Sequence, residues 1–320
     1  MAVPPRHLRH PVRRRQGGLA LITAVMVVAM AAVAATAMVV SQQRSLHRTG
    51  GLLHGIQVEE YAVGAEAWAR VLLRRAGQEN GFDALDQAWA QPLPPMPIEG
   101  GGLQGQIRDE QGRFNLNNLI EGVTVNANAV LQFQRLLLLL ELDQQLANAL
   151  LDWLDPDINA RFPEGAEDDA YLNREPPYRA ANGLLAHVSE LRLVAGYEAE
   201  VVDRLRPYVT ALPQATALNV NTAPALLLAT LVEGMGMEEA EALVQIRDEE
   251  PFQSLEQFTA QPAFAGREML EVPLTLRSEY FRLQGQVAVG DAEVWLSSLL
   301  QRGPDHRVRL VARNRILPAF

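Results

Sequence analysis

The chain has 320 residues, of which 38 are acidic and 28 basic, and its formal net charge is −10. This acidic balance argues against a nucleic-acid partner, because a phosphate-binding surface has to be basic. The chain contains no cysteine, which excludes disulfide bonds and cysteine catalysis. Its length allows one large domain or two modest ones.

The N-terminus combines a basic leader, residues 1–18, with a long uncharged segment. The leader holds five arginines and no acid, and the 22 residues from Leu19 to Val40 carry no charge. As a helix this segment spans roughly 33 Å, enough to cross a bilayer, and the arginines predict a cytoplasmic N-terminus. Ala35-Thr36-Ala37 is an alternative signal-peptidase site, but apolar sequence continues beyond it. We therefore predict a single-span protein of the inner membrane.

The predicted helix continues past the membrane span and covers residues 19–76, with residues 19–40 in the membrane. Apolar residues recur there at helical spacing and are expected to pack on a soluble domain: Leu53, Ile56, Val63, Ala67 and Val71. An interruption is expected at Gly50-Gly51. The Pro- and Gly-rich stretch at 91–102 then predicts a break in regular structure.

Two distant parts of the chain predict one antiparallel sheet. Residues 103–117 are expected to form two short strands around a turn at 109–112, and three more strands follow Glu279. The phrase LQGQI at 103 returns as LQGQV at 283. We predict an α+β fold in which the long helix packs on a discontinuous domain, 77–114 plus 273–320. Residues 115–272 form a large, mostly helical insertion.

The insertion is predicted to contain two SAM-like, helix-hairpin-like repeats, at about 114–157 and 218–252. FNLNNL opens the first and LNVNTA the second, where Thr222 is placed to cap a helix starting near Pro224. Gly234 and Gly236 resemble the turn of a DNA-binding helix-hairpin-helix, but glutamates surround them. A membrane-tethered DNA-binding protein is therefore disfavoured, and a packing role is expected for this turn.

The densest chemistry lies between Asp152 and Asp169, where seven carboxylates accompany a single arginine, Arg161. Clustered carboxylates suit calcium, which takes about six to eight oxygen ligands. Asp155-x-Asp157-x-Asn159 imitates the start of an EF-hand loop, but the glycine that this loop needs is replaced by alanine. From the residues alone, an acidic loop spread in solvent is an equal alternative.

Signals for catalysis are weak. The sequence has no H-E-x-x-H spacing, no nucleophile elbow and no glycine-rich phosphate loop. We therefore predict that the protein is not an enzyme. The alternative is an exported, single-span, membrane-anchored enzyme whose acidic loop is a metal-dependent site.

A glycine followed directly by an uncharged helix, which in turn leads into an antiparallel sheet, resembles the type IV pilin and pseudopilin family. The resemblance implies that a prepilin peptidase cuts between Gly18 and Leu19 and methylates the new N-terminus, so that the apolar helix is kept. Most family members have Glu at the fifth mature position, where this chain has Thr23. The resemblance therefore implies a role for this position in assembly.

Several phrases resemble the type II secretion minor pseudopilin K family (general secretion pathway protein K): GLALITAVMVV, FNLNNL, LLDWLDPD, GAEDDAYL and LNVNTAPALLL. The resemblance implies a subunit with a periplasmic C-terminal domain that caps the pseudopilus tip with minor pseudopilins I and J. It would sit on the major pseudopilin fibre and help to initiate assembly for protein export across the outer membrane. The resemblance also implies bound calcium. Its expected ligands are Asp155, Asp157, Glu167 and Asp168, with Asp152 and Asp169 in second place.

Overall fold

A computed structural model describes residues 17–316, so the predicted leader lies outside the described residues up to position 16. Helix α1 (Gly17–Glu79) is 63 residues long. Its exposed, apolar first part is long and apolar enough to cross a membrane. The helix continues through Gly50-Gly51, so the predicted interruption is wrong. Two glycines cost only about 1 kcal/mol each relative to alanine, too little to end a helix that is cooperative on both sides.

The C-terminal half of α1 packs on the sheet through small and medium-sized apolar side chains. They recur every three or four residues along one face of the helix: Val58, Ala62, Ala65, Ala69 and Leu73. The interface also holds one charged group, Glu66, which accepts hydrogen bonds from Ser298 at 2.5 Å and from Arg313 at 2.7 Å. Burial of this carboxylate is therefore compensated.

The predicted apolar stripe does not face the sheet, and this part of the prediction is wrong. Its members Leu53, Ile56, Val63 and Val71 are all exposed. Periodicity identified a second apolar face of the same helix, because the sheet-facing side is built largely from alanine and has a weaker hydrophobic signal. The helix thus presents apolar side chains on two sides.

The first hairpin consists of β1 (Leu93–Ile98) and β2 (Gly101–Asp109). The hairpin predicted within 103–117 is wrong. Strand β2 pairs instead with β1, which precedes it and lies in the proline-rich stretch that was expected to be irregular. Strand β1 is an edge strand of the sheet. Prolines are tolerated there, since an edge residue can lack the N–H that a central strand must donate.

The insertion is built from short strands and helices around its own core, which includes Phe114, Phe133 and Phe252. In chain order its strands and helices are β3 (Phe114–Asn115), β4 (Ile120–Glu121), β5 (Thr124–Val125), α2 (Ala127–Leu139), α3 (Leu146–Leu154), α4 (Asp168–Leu172), α5 (Ala199–Leu205), β6 (Val209–Thr210), β7 (Leu218–Asn219), α6 (Ala225–Ala229), α7 (Met237–Glu249), α8 (Leu255–Thr259) and β8 (Leu274–Thr275). Strand β3 pairs in parallel with β6, and β7 pairs in parallel with β8. Each pair closes one part of the insertion.

The asparagines of the two N-x-N phrases make equivalent contacts in the two parts. In the first, the Asn117 side chain accepts from the Leu185 N–H and donates to its carbonyl, both at 2.9 Å. In the second, Asn221 makes the same pair of bonds to Phe252, at 3.0 and 2.9 Å. Both side chains are fully buried. The shared phrase therefore anchors a distant loop in each part, while the helical correspondence of the two repeats stays a prediction.

The last three strands are β9 (Tyr280–Val289), β10 (Ala292–Arg302) and β11 (Val308–Ile316), as predicted. The sheet is antiparallel with strand order β1-β2-β9-β10-β11. The two LQGQ phrases pair with each other, with Gly105 opposite Gly285. The backbones approach so closely that a Cβ on Gly105 would lie 2.8 Å from the Gln284 carbonyl oxygen. These findings confirm the predicted fold class.

A buried polar network joins the sheet to the insertion. Asp109 Oδ2 accepts from the hydroxyls of Ser278 and Thr222, each at 2.6 Å, and from the Asn219 amide at 3.0 Å. The expected capping role of Thr222 is wrong, because α6 begins after Pro224 without a side-chain cap and the Thr222 hydroxyl bonds Asp109 instead. Nearby, Asp83 pairs with Arg302, and both side chains are buried. We call these residues the junction network.

Candidate metal centre

The acidic loop is held between two packed helices. Helix α3 ends at Leu154, directly before Asp155, and α4 begins at Asp168. The aromatic rings of Trp153 and Tyr171 fix the two helices together, with centroids 5.1 Å apart in an edge-to-face arrangement. The loop therefore starts and ends on rigid elements, which brings carboxylates from both of its ends together.

Three of the predicted ligands converge, namely Asp155, Asp157 and Glu167. One carboxylate oxygen from each lies within 4.8 Å of the others. Asp155 and Glu167 are only 2% and 6% exposed, whereas Asp157 faces solvent. Buried carboxylates normally accept hydrogen bonds. Within residues 17–316, however, no donor bonds either oxygen of Glu167, and the one charged partner of Asp155 is Arg161.

Electrostatics at this cluster favour a bound cation. Burial, and after it the charges of the neighbouring carboxylates with Asp152 first among them, raise the pKa of Glu167 to about 7. The nearest positive charge is Arg161, which contacts Asp155 and lies 2.5 Å from Asp152. A single guanidinium serving two buried acids leaves Glu167 without a counter-charge. Unpartnered hard oxygens at this spacing fit calcium, with water or carbonyl oxygens completing the ligand set.

The other three predicted ligands stand apart from this cluster. Asp152 is fully buried, and its Oδ2 accepts the Arg161 backbone N–H at 3.0 Å. Asp168 accepts from the Ala180 N–H at 3.0 Å. Asp169 is exposed in the first turn of α4. The structure thus brings three of the six predicted ligands together and gives two of the others protein partners.

Sequence reasoning missed the role of Gly165. A Cβ at this position would lie 2.3 Å from Asp152 Oδ2 and 2.2 Å from the Arg161 carbonyl oxygen. The loop can therefore close over Asp152 only with glycine here. The single signal in the sequence was a glycine inside an otherwise acidic segment.

Comparison with known proteins places this geometry in a family. Models of the family described as Type II secretion system (T2SS), protein K match residues 112–214 and 218–277. The type II secretion system protein K of Pseudomonas aeruginosa is 40% identical over 95% of this chain and 94% of its own. That of Aeromonas hydrophila is 34% identical over 95% of this chain and 98% of its own. The chain belongs to the type II secretion system protein K family.

A solved structure agrees with this assignment. It is titled the crystal structure of the GspK-GspI-GspJ complex from the enterotoxigenic Escherichia coli type 2 secretion system. The matching chain superposes with a TM-score of 0.76 and 29% identity, over 84% of this chain and 99% of that one. The chain is a minor pseudopilin of the type II secretion system. These relatives give no support to the alternative of an exported enzyme.

The two family matches correspond to the two parts of the insertion. The first spans β3 to β6 and contains the acidic loop, and the second spans β7 to β8. Gly234 adopts a left-handed conformation and Gly236 precedes α7, where its N–H donates to Glu239. Glu239 in turn pairs with Arg267 at 2.8 Å. In protein K this turn is thus closed by an acidic side chain, which fits packing better than phosphate binding.

The predicted processing and assembly residues all lie near the start of α1, where Leu19 and Thr23 are exposed. Gly18 and Leu19 are in the first turns of the helix. The Thr23 hydroxyl donates to the Ala20 carbonyl at 3.0 Å, within its own helix. Thr23 therefore leaves no charged or unsatisfied group on this surface.

Proposed function

We propose that the chain caps the tip of the pseudopilus together with minor pseudopilins I and J, above the fibre of the major pseudopilin. In this proposal it helps to initiate assembly for protein export across the outer membrane, and it acts mechanically rather than as an enzyme. The observation that carries the proposal is the fold it shares with a chain of the GspK-GspI-GspJ complex. The match extends over 84% of this chain and 99% of that one.

The exposed apolar side of α1 supports assembly by helix packing. Leu53, Ile56, Val63 and Val71 are 41–61% exposed, although the opposite side of the same helix is fully packed on the sheet. The first part of α1 is apolar all round and exposed. While the subunit is in the membrane, lipid would cover this first part of α1. In the fibre, the helices of neighbouring subunits would replace the lipid.

Co-purification of tagged full-length protein with minor pseudopilins I and J, co-expressed in membranes, tests this. We expect Ile56→Asp combined with Val63→Asp to abolish co-purification, because a carboxylate cannot be buried unpaired between apolar helices. The matched control is Gln57→Asp, at a position that is also exposed. Retention of both partners by the double variant, or loss of both in the control, would contradict assembly through this side of the helix.

We further propose that α1 anchors the chain in the inner membrane with a cytoplasmic N-terminus and a periplasmic C-terminal domain. A prepilin peptidase would cut between Gly18 and Leu19 and methylate Leu19. Mass spectrometry of the mature N-terminal peptide tests this directly. A peptide that starts at Leu19 and carries one extra methyl group is expected. A start at Met38 would mean ordinary signal cleavage and would remove the anchor.

Thr23 in place of glutamate is proposed to favour the top position. A buried carboxylate in lipid is costly unless it is paired, and a subunit with no neighbour above it has no partner for one. We expect Thr23→Glu to weaken tip assembly and secretion, and Thr23→Ser to leave both intact. Unchanged secretion with Thr23→Glu would show that the missing charge does not set the position.

Calcium is the proposed cofactor. Asp155, Asp157 and Glu167 would hold it, because their oxygens converge and Glu167 has neither a hydrogen-bond donor nor a counter-charge among the described residues. Bound calcium would supply the positive charge that Arg161 alone cannot provide. It would thereby tie the end of α3 to the start of α4 in a chain without cysteine.

A further inference from the structure

A cleft of about 460 Å³ lies between the outer face of the sheet and the insertion. Strands β9, β10 and β11 form one wall, through Arg282, Gln284, Ser297 and Asn314. The opposite wall comes from the insertion and carries Arg113, His187 and Arg206. Helix α1 packs on the other face of the sheet, so assembly through α1 leaves this cleft accessible.

Successive side chains of β9 point to opposite faces of the sheet, one set toward α1 and the other toward the cleft. Phe281 and Leu283 point into the core beneath α1, where both are buried. Arg282 and Gln284 alternate with them and therefore face the cleft. Gln106 lies directly opposite Gln284, which extends the polar surface onto β2.

The cleft is basic although the protein as a whole is acidic. Three arginine side chains line it, Arg113, Arg206 and Arg282, and Glu110 is the single carboxylate among its lining residues. Arg315 also borders the cleft, but its side chain lies on the α1 side of β11, where it pairs with Glu59. Glu110 is already engaged, since it contacts Arg282 at 3.0 Å, Thr210 at 2.5 Å and Arg113 at 3.9 Å. Arg206 pairs with Asp203, which does not line the cleft.

The arginines around Glu110 are closer together than a sheet alone would favour. Arg108 on β2 lies directly opposite Arg282 on β9, and like charges in this register destabilise a sheet. The proximity of Arg113 lowers the pKa of Arg108, after the larger effect of burial. Burial and then Arg282 also lower the pKa of His187. Arginine side chains therefore stand on both walls of the cleft.

One of these guanidinium groups has no hydrogen bond. The side chain of Arg113 is only 22% exposed, yet no described residue accepts a hydrogen bond from its guanidinium. A half-buried arginine with free donors at the mouth of a cleft is suited to a carboxylate, which it can bind in bidentate geometry.

We propose that this cleft binds an acidic peptide segment of a partner protein. The arginines would bind its carboxylates, and the amide and hydroxyl groups of Gln284, Asn314 and Ser189 would bond its backbone. Val188, which is half-buried, adds apolar surface at the insertion wall. This mixture, and a volume large enough for several side chains, favours a peptide over a simple anion.

Fluorescence anisotropy with the detergent-solubilised mature protein tests this proposal. The probe is a short labelled peptide of alternating Glu and Val, and its partner has Gln in place of every Glu. We expect the Glu peptide to bind at least about tenfold more tightly, since each charge-assisted hydrogen bond is worth this much. Binding should also weaken as salt rises from about 0.05 to 0.5 M.

Variants locate the site. Arg113→Gln is expected to weaken binding about tenfold, and Arg206→Gln, at an exposed position, provides a second variant if the first is unstable. The matched control is Arg307→Gln, which removes an exposed arginine (84%) that does not line the cleft. Circular dichroism of each variant checks the fold.

Four outcomes would overturn the proposal. Equal binding of the Gln peptide would remove the role of the carboxylates, and equal weakening by Arg307→Gln would reduce the effect to diffuse charge. Displacement of the peptide by inorganic phosphate at a comparable concentration would indicate an anion site without peptide recognition. A change of oligomeric state in Arg113→Gln would indicate that a second copy of this chain occupies the cleft.

Discussion

Two clusters of buried carboxylates in this protein have opposite hydrogen-bonding states. In the junction network, Asp109 accepts three side-chain hydrogen bonds on Oδ2 and the Gln111 N–H on Oδ1 at 2.8 Å. In the acidic loop, Glu167 accepts none from residues 17–316, and Asp155 shares the single guanidinium of Arg161 with Asp152. Burial is similar in the two clusters, so burial alone does not distinguish them.

The difference separates a structural role from a ligand site. A carboxylate surrounded by donors stabilises the segments that supply them. The junction network draws its donors from the insertion, from the β8–β9 connection and from β10. A buried carboxylate without donors costs free energy unless a cation binds it. Even in the junction network Asp83 Oδ1 lacks a donor among the described residues, which makes its single ion pair important.

The largest expected effect is at that ion pair. Arg302 is nine-tenths or more buried, and it donates to Asp83 and to the carbonyls of Leu73 and Ser278, the last at 2.8 Å. Arg302→Met would leave the Asp83 carboxylate buried and unpaired. We expect the free energy of unfolding to fall by about 3–5 kcal/mol, as measured by urea unfolding.

Two further variants sharpen this test. Asp83→Asn combined with Arg302→Met should recover part of the loss, because the uncompensated charge is gone. Arg307→Met, on the exposed β10–β11 turn, should change stability by less than about 0.5 kcal/mol. A loss below about 1 kcal/mol for Arg302→Met would show that the junction does not depend on this pair.

The second-largest expected effect is a pH dependence of the unfolding free energy, caused by Asp109. Burial is the main cause that raises its pKa, to about 6, and the Asp83 charge adds to it. A raised pKa means that the folded state holds this proton more tightly than the unfolded state. The stability it contributes is complete below about pH 4 and is lost as pH rises to about 6, with a total of about 3 kcal/mol.

Unfolding free energies measured between about pH 4 and 7 check this sign. Relative to the wild type, Asp109→Asn should become more stable as pH rises, because the amide never carries the buried charge. Asn still offers an oxygen to Ser278 and Thr222. Parallel pH profiles for the two proteins would contradict a titration of Asp109 in this range.

Regular patterns allowed much of the fold to be predicted from sequence. The three late strands and the long helix follow local periodicity, and the LQGQ echo predicted that two distant segments share a sheet. The partner of β2 was not predictable in this way, since β1 lies in a proline-rich stretch that local rules treat as irregular. Edge position, a tertiary property, makes these prolines acceptable.

The candidate site was predictable in composition but not in geometry. Clustered acids indicated a cation, yet the sequence could not separate Asp157, which joins the cluster, from Asp168, which accepts from the Ala180 N–H. Thr222 shows the same limit, because local spacing suggested a helix cap while its partner, Asp109, lies 113 residues earlier in the chain. Long-range partners of polar side chains carry no local signal.

The smallest of these effects is the stabilisation by calcium, and it tests the comparison most directly. If the acidic loop is a ligand site, calcium should stabilise the protein, by roughly 1.4 kcal/mol at a concentration tenfold above Kd. A thermal melt with calcium and then with excess chelator measures the shift. Magnesium should give less stabilisation, since it is smaller and demands stricter geometry.

Variants identify which residues bind calcium, beyond the shift in melting temperature that calcium causes in the wild type. Asp157→Asn removes an exposed member of the cluster and should abolish the calcium response without lowering the stability of the calcium-free protein, because it relieves repulsion on Glu167. Asp169→Asn is the matched control, and its response should persist. Loss of the response in the control would place Asp169 among the ligands. An unchanged response in Asp157→Asn would mean that the three converging oxygens do not form the site, and the two clusters would then differ in hydrogen bonding alone.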